Sequence, residues 1–207
     1  MKHRLGILLS GRGSNFLAIH SAMVAGRLGE AEIAVVLSNR SDAPGLAAAH
    51  ALGLRAEAIV QQGKGAEARA DHDAKMIAAL ERYGVDLVCL AGYMRIIAPS
   101  FVAAFPNRIL NIHPSLLPSF PGLEAQQQAL TFGAKISGCT VHFVDEQVDH
   151  GAIILQRAVA IEDGDTEESL AERILAEEHR AYPEAIARVL SGEYALRGRR
   201  YVRVKAR

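Results

Sequence analysis

The segment Asn111-Ile112-His113-Pro114-Ser115-Leu116-Leu117-Pro118 carries the pairing of residue types best suited to chemistry in this chain. It closes an apolar run, Arg108 to Ile112, that reads as a strand. Side chains two apart on a strand share a face, so Asn111 and His113 project together. Pro114 holds the backbone of His113 extended and preserves that alignment. An amide donor beside an imidazole suits acyl transfer: Asn111 donates to a developing oxyanion, and His113 moves a proton for the attacking or leaving nitrogen. The same residues fit a structural polar cluster at the start of a loop, and their spacing does not choose between the two readings. Asp149, in Asp145-Glu146-Gln147-Val148-Asp149-His150-Gly151, is a third candidate. A carboxylate near His113 would favour imidazolium and fix the ring, or hold a proton-relaying water. Spacing alone does not bring it there, and an acidic loop residue is more often solvated.

A second constellation is Ser10-Gly11-Arg12-Gly13-Ser14-Asn15, between an apolar strand and a helix. Backbone N–H groups at such a turn, with the positive end of the helix, make an anion site. Glycines allow close approach, and Ser14 and Asn15 add side-chain donors. Phe16 occupies the third glycine position of a dinucleotide fingerprint, and there is no phosphate-loop lysine. The turn therefore points to a monophosphate-sized group rather than NAD, with a merely tight, well-capped turn as the alternative.

These residues need elements to position them. Leu5–Leu9, Ile33–Leu37, Leu54–Val60, Asp86–Ala91 and Arg108–Ile112 read as strands, several continuously apolar as strands buried on both faces are. Asn15–Ala25, Ala43–Leu52 and Ala66–Tyr83 read as helices between them. The alternation predicts an open, mostly parallel twisted α/β sheet of Rossmann-like type with helices on both faces. Lys135–Val144 and Ala152–Ile161 predict an antiparallel extension in the C-terminal half. A long helix is expected over Thr166–Leu190, with a kink or break at Pro183. The economical organisation is one domain: a half bearing the phosphate turn over about 1–105, a part bearing Asn111, His113 and Asp149 over about 106–192, and a basic tail over 193–207. That tail, with Arg197, Arg199, Arg200, Arg203, Lys205 and Arg207, reads as solvated and partly frayed.

Composition narrows the partners. Lysine plus arginine equals aspartate plus glutamate at 23 each in 207 residues, which argues against a nucleic-acid binder. Cys89 and Cys139 sit in apolar runs and read as buried small hydrophobes rather than a disulfide or a zinc site. No histidine and carboxylate cluster has metal spacing, so no metal is expected. The apolar stretch near the amino terminus is too short for a signal peptide and no run is long enough to span a membrane. The expected setting is soluble and cytoplasmic.

Taken together, Ser10–Asn15, Ala91-Gly92-Tyr93-Met94-Arg95-Ile96, Asn111–Pro118 and Val141-His142-Phe143-Val144 resemble the phosphoribosylglycinamide formyltransferases, from residue 4 to about residue 192. The Asn-x-His-Pro-Ser-Leu-Leu-Pro element is shared by formyl-folate enzymes more widely. The resemblance implies transfer of a formyl group from 10-formyltetrahydrofolate to the amine of 5-phosphoribosylglycinamide in de novo purine biosynthesis. It implies catalytic roles for Asn111, His113 and Asp149, and a phosphate cradle of Gly13, Ser14 and Asn15, with Glu178 on the ribonucleotide. It places Arg69, Met94, Arg95, Ile96, Ile97 and Asn111 on the folate, together with Asp145, Glu146, Gln147, Val148 and Asp149. Arg69 without the folate's anionic tail would simply be solvated. Two departures stand out: Glu124-Ala125-Gln126-Gln127-Gln128 replaces a segment that commonly bears histidine, and His150 follows Asp149 where glycine is common. His150 reads as an exposed loop residue and His142 as a neighbour of the site. Competing readings are a formyl-folate hydrolase, which needs no phosphate cradle, a methionyl-tRNA formyltransferase, which would carry a further basic domain, and a nucleotide-binding module. Oligomeric state, monomer or dimer, stays open.

Overall fold

The first apolar run forms β1 (His3–Leu9), whose last five residues are buried. In this computed structural model, which describes residues 2–204, β2 (Ala31–Ser38) lies parallel to β1 on one side and β4 (Leu87–Leu90) on the other. The short β3 (Ala56–Ala58) pairs parallel outside β2 and occupies only the middle of the expected Leu54–Val60 strand. The connections are α1 (Ser14–Val24), α2 (Pro44–Ala51) and α3 (Gly65–Arg82), with a short α4 (Pro99–Ala104) after β4 that the sequence pattern did not signal. The chain moves outward from β1 to β3 and then returns to the far side of β1 at β4. Right-handed crossovers running in opposite directions set their helices on opposite faces. Accordingly α1 and α2 pack on β2, while α3 packs with α4. Contact at Gly6 is so close that a Cβ there would meet Leu80 Cδ2 of α3 at 2.6 Å. The expected mostly parallel sheet, helices on both faces, is what forms.

These elements make up the first of two compact units, which part in sequence between Leu110 and Asn111. β5 (Ile109–His113) runs into the second unit, where β6 (Ile136–Phe143), β7 (Ile153–Ala160), β9 (Arg200–Arg203) and β8 (Tyr194–Arg197) follow it in that order across the sheet. β6 and β7 are antiparallel, as expected, paired from Ile136 with Ala160 to His142 with Ile153. α5 (Ala125–Phe132) takes up the glutamine-rich segment, and α6 (Glu167–Leu190) packs on β6 and β7. α6 opens on a reciprocal cap: Thr166 Oγ1 accepts from Ser169 N at 3.2 Å, and Ser169 Oγ accepts from Thr166 N at 3.0 Å.

Two expectations are corrected here. The helix is not broken at Pro183, which is buried beside Tyr182, Ala185 and Ile186. The lost backbone bond costs about 3 kcal/mol, and the buried apolar face of α6 outweighs it. Nor is the basic tail frayed: β8 (Tyr194–Arg197) and β9 (Arg200–Arg203) form an antiparallel hairpin beside β7. Its reason is aromatic: Tyr201 stacks on Tyr194 at 5.4 Å and meets Phe143 of β6 edge-on at 5.3 Å. Lys205 and Arg207 lie outside the described residues. Cys89 and Cys139 are buried and not joined in a disulfide, and burial, with Glu178 adding to it, pushes Cys139 up to about 12. Among the described residues no helix is long and apolar enough to cross a membrane.

Candidate active site

β5 ends by presenting Asn111, half-buried, and His113, buried, from alternate positions. The loop that follows is anchored from below. Thr140 of β6 accepts from Leu117 N at 3.0 Å and donates to Ser115 O at 2.7 Å, while Gln156 of β7 donates to Leu117 O at 2.8 Å. The loop then delivers the Phe120 carbonyl to His113 Nε2 at 2.8 Å. A carbonyl only accepts, so Nε2 carries the hydrogen and Nδ1 is the atom that titrates.

Asp149 closes on this pair. Its Oδ2 lies 3.3 Å from His113 Nδ1 and accepts from Gly122 N at 2.8 Å. Its Oδ1 accepts from Asn111 Nδ2 at 3.4 Å. Asn111 Nδ2 also lies 3.3 Å from His142 Nε2. His142 Nδ1 donates to Phe143 O at 2.8 Å, and its Nε2 also lies 3.6 Å from Asp149 Oδ1. The Asp149 carboxylate fixes the amide of Asn111 with its nitrogen inward.

The electrostatics are opposed on the two partners. Burial lowers His113 below the ordinary histidine value, against the Phe120 carbonyl and the Asp149 charge, with His142 adding to the depression. Burial works to raise Asp149, but His142, the Gly122 N–H and His113 together hold it below the ordinary carboxylate value. The resting state is therefore a neutral imidazole whose Nδ1 lone pair faces a carboxylate, ready to take one proton into a charge-assisted contact.

The backbone is strained where this geometry is made. Four non-glycine described residues have positive φ, and three of them, Phe120 (52°), Glu124 (56°) and Asp149 (50°), surround the site. Such conformations cost on the order of 1–3 kcal/mol each and persist only where neighbours over-determine them.

In the first unit the sheet order reverses between β1 and β4, and crevices at such switch points hold ligands in open α/β folds. The glycine turn and Gly92–Ile97 follow those two strands. Ser10 ties them together: its Oγ accepts from Met94 N at 2.8 Å and donates to Asn39 Oδ1 at 2.6 Å, and its N–H donates to Gly92 O at 3.0 Å. Gly13 is the N-cap of α1 in left-handed conformation (φ 76°), and no side chain caps it. Gly45 N donates to Gly11 O at 3.0 Å, and a Cβ at Gly13 would meet Gly45 Cα at 3.1 Å. Ser14 and Asn15 open the helix, Asn15 buried.

Beyond β4, Met94 and Ile96 are 73% and 82% exposed, Ile97 is half-buried, and Arg95 Nη2 donates to Gln61 Oε1 at 2.5 Å. Arg69 is exposed on α3. In the second unit Glu146, Gln147 and Val148 are exposed, whereas Asp145 is engaged, accepting from Gln147 N at 3.0 Å and from His150 Nδ1 at 2.8 Å. Glu178 is buried on α6, close enough to Cys139 for its charge to act on that thiol. Sequence reasoning missed the Phe120 carbonyl and the Gly122 N–H; the turn signal Pro121-Gly122 marked their place without their role.

The formyl transferase family matches residues 3–186. The chain belongs to that family. It is 39% identical to the phosphoribosylglycinamide formyltransferase of Escherichia coli over 181 residues, 87% of this chain and 84% of that one. It is 45% identical over 192 residues to the trifunctional purine biosynthetic protein adenosine-3 of Drosophila melanogaster, covering 92% of this chain but spanning only 14% of that protein's length. The crystal structure of glycinamide ribonucleotide transformylase 1 from Symbiobacterium toebii superposes with a TM-score of 0.94 at 51% identity, over 99% of this chain and 95% of that one. The family match ends within α6, whereas the superposition covers both units almost entirely.

Proposed function

We propose that this formyltransferase moves the formyl group of 10-formyltetrahydrofolate onto the primary amine of 5-phosphoribosylglycinamide, a step of de novo purine biosynthesis, as one cytoplasmic domain acting on small molecules. The observation that carries the reading is the closure of Asp149 on Asn111 and His113, at 3.4 and 3.3 Å.

In this mechanism the amine lone pair attacks the formyl carbon, a C–N bond forms, and the carbonyl oxygen becomes an oxyanion. Asn111 Nδ2 donates to that oxyanion, exchanging its two long contacts for one to a full charge. The attacking nitrogen, now cationic, loses a proton to the Asp149–His113 pair, directly or through a water held by Asp149. His113 Nδ1 stores it as imidazolium against the carboxylate. The tetrahedral adduct collapses, the carbon–nitrogen bond to the folate breaks, and the stored proton goes to the departing folate nitrogen. Products are the formamide and tetrahydrofolate.

In the first unit the folate's flat, largely apolar ring system would cover Met94 and Ile96 beside Arg95 and Ile97, and its anionic tail would reach Arg69. In the second unit Asn111 and the 145–149 loop are the residues assigned to it. The side chain of Asp145 is committed within its own loop, so the folate contacts there fall to backbone atoms and to Glu146, Gln147 and Val148. The acceptor's phosphate would sit on Gly13, Ser14 and Asn15 at the uncapped start of α1, and Glu178 would accept from ribose hydroxyls. Incubation with formyl-labelled 10-formyltetrahydrofolate and 5-phosphoribosylglycinamide should yield the labelled formamide by mass spectrometry. Label found only in formate would replace the transferase with a hydrolase.

The phosphate cradle gives its own prediction. Gly13→Val places a branched side chain at a left-handed position costing about 1–2 kcal/mol and 3.1 Å from Gly45. The KM for the phosphorylated amine should rise about tenfold or more while that for folate stays within a factor of about two. Equal rises in both would place the phosphate elsewhere.

A further inference from the structure

The hairpin β8–β9 reaches the catalytic loop through one side chain. Arg199, at the turn beside Gly198 (φ 62°), lies with Nη1 2.8 Å from His150 Nε2 and 3.1 Å from its Nδ1, and its Nη2 donates to the His150 carbonyl. His150 passes the contact on, donating from Nδ1 to Asp145 Oδ2 at 2.8 Å, while Asp145 Oδ1 accepts from Gln147 N. The loop 145–150 is thereby closed on itself and held from outside, at the residue next to Asp149. On its other side Gly151 is locked: a Cβ there would fall 1.8 Å from Phe143 O.

The hairpin is a firm base for such a hold. Tyr201 is packed between Phe143 and Tyr194, Arg203 pairs with Glu193 at 2.7 Å, and β9 adjoins β7 at Ile153. Asp149 needs it, because a non-glycine residue at φ 50° relaxes toward ordinary backbone unless both flanks are held. Relaxation would swing the carboxylate away from His113, Asn111 and Gly122 together.

We propose that Arg199 is a positioning residue of the active site, acting through His150 to keep Asp149 in its left-handed conformation. The proposal rests on the catalytic reading of Asp149. It is tested on the full chain by steady-state kinetics and thermal melting of Arg199→Ala, Arg199→Lys, His150→Ala, the Arg199→Ala/His150→Ala double variant and Asp149→Asn. Arg199→Ala should lower kcat about tenfold, with the KM for the phosphorylated amine unchanged and the melting transition still cooperative. Arg199→Lys, which keeps one donor, should recover most of the loss. The double variant should lose little more than Arg199→Ala alone, because both act through one contact. A kcat for Arg199→Ala within twofold of wild type, beside an inactive Asp149→Asn, would overturn the clamp and leave the catalytic reading standing. So would a loss that lysine does not rescue, or one matched by the fraction of unfolded protein. An active Asp149→Asn would remove the premise and the proposal with it.

Discussion

Asp149→Asn should lower kcat about a hundred- to ten-thousand-fold, the range of a lost proton-transfer group. The reason is a count of donors. Oδ2 accepts from Gly122 N, and Oδ1 accepts from Asn111 Nδ2. A carboxylate accepts at both oxygens, whereas an asparagine amide must turn an NH2 toward one of those donors, whichever way it is flipped. The variant therefore loses both its charge and its orientation. Its pH profile should move as well. His113 already lies below the ordinary histidine value because of burial, and Asp149 is one of the groups opposing that fall. Without the charge, His113 falls further, so the acid limb of kcat/KM shifts to lower pH. The signs for stability run the same way. Asp149 has a depressed native value, so its contribution is present above about pH 4 and is lost as pH falls through that native value. His113, neutral when folded, likewise favours the fold less as pH drops below about 6.5. Kinetics on variants held near neutral pH therefore compare folded proteins. An acid limb that moved upward would contradict the assignment of Nδ1 as the titrating atom.

Asn111→Ala should cost about 2.7–4 kcal/mol in the barrier, a hundred- to a thousandfold in kcat, with KM for either substrate little changed. In the resting site its amide makes only long contacts, 3.3 Å to His142 and 3.4 Å to Asp149, and the residue is half-buried. Removing them should leave the melting temperature nearly unaltered, so the effect is confined to the transition state. Circular dichroism melts beside kinetics check both halves. A large fall in melting temperature with a proportionate fall in activity would mean that Asn111 serves the fold.

Much of this was legible in the residues because one physical rule governed each stretch. Short continuous apolar runs such as Leu5–Leu9, alternating with helical patterns, suit strands covered on both faces, and alternation on β5 put Asn111 and His113 on one side. Asp149 was not legible by spacing, since 35 residues, α5 and β6 among them, intervene between it and His113; resemblance supplied it, and the fold brings it to 3.3 Å. The supporting groups Phe120 O and Gly122 N are backbone atoms, and backbone roles leave no residue-type signature. The C-terminal hairpin escaped notice for a different reason. Its arginines outweigh, in composition, the Tyr194 and Tyr201 rings that fold it. At Pro183 the local rule was outvoted by packing.

The claim at the centre is that the site passes its formyl group to a phosphorylated amine rather than to water. The direct measurement is tetrahydrofolate release from 10-formyltetrahydrofolate, followed with and without 5-phosphoribosylglycinamide. Release should require the acceptor and saturate with it, and it should collapse in Asp149→Asn. Release at the same rate in the acceptor's absence would contradict the account and make the enzyme a hydrolase.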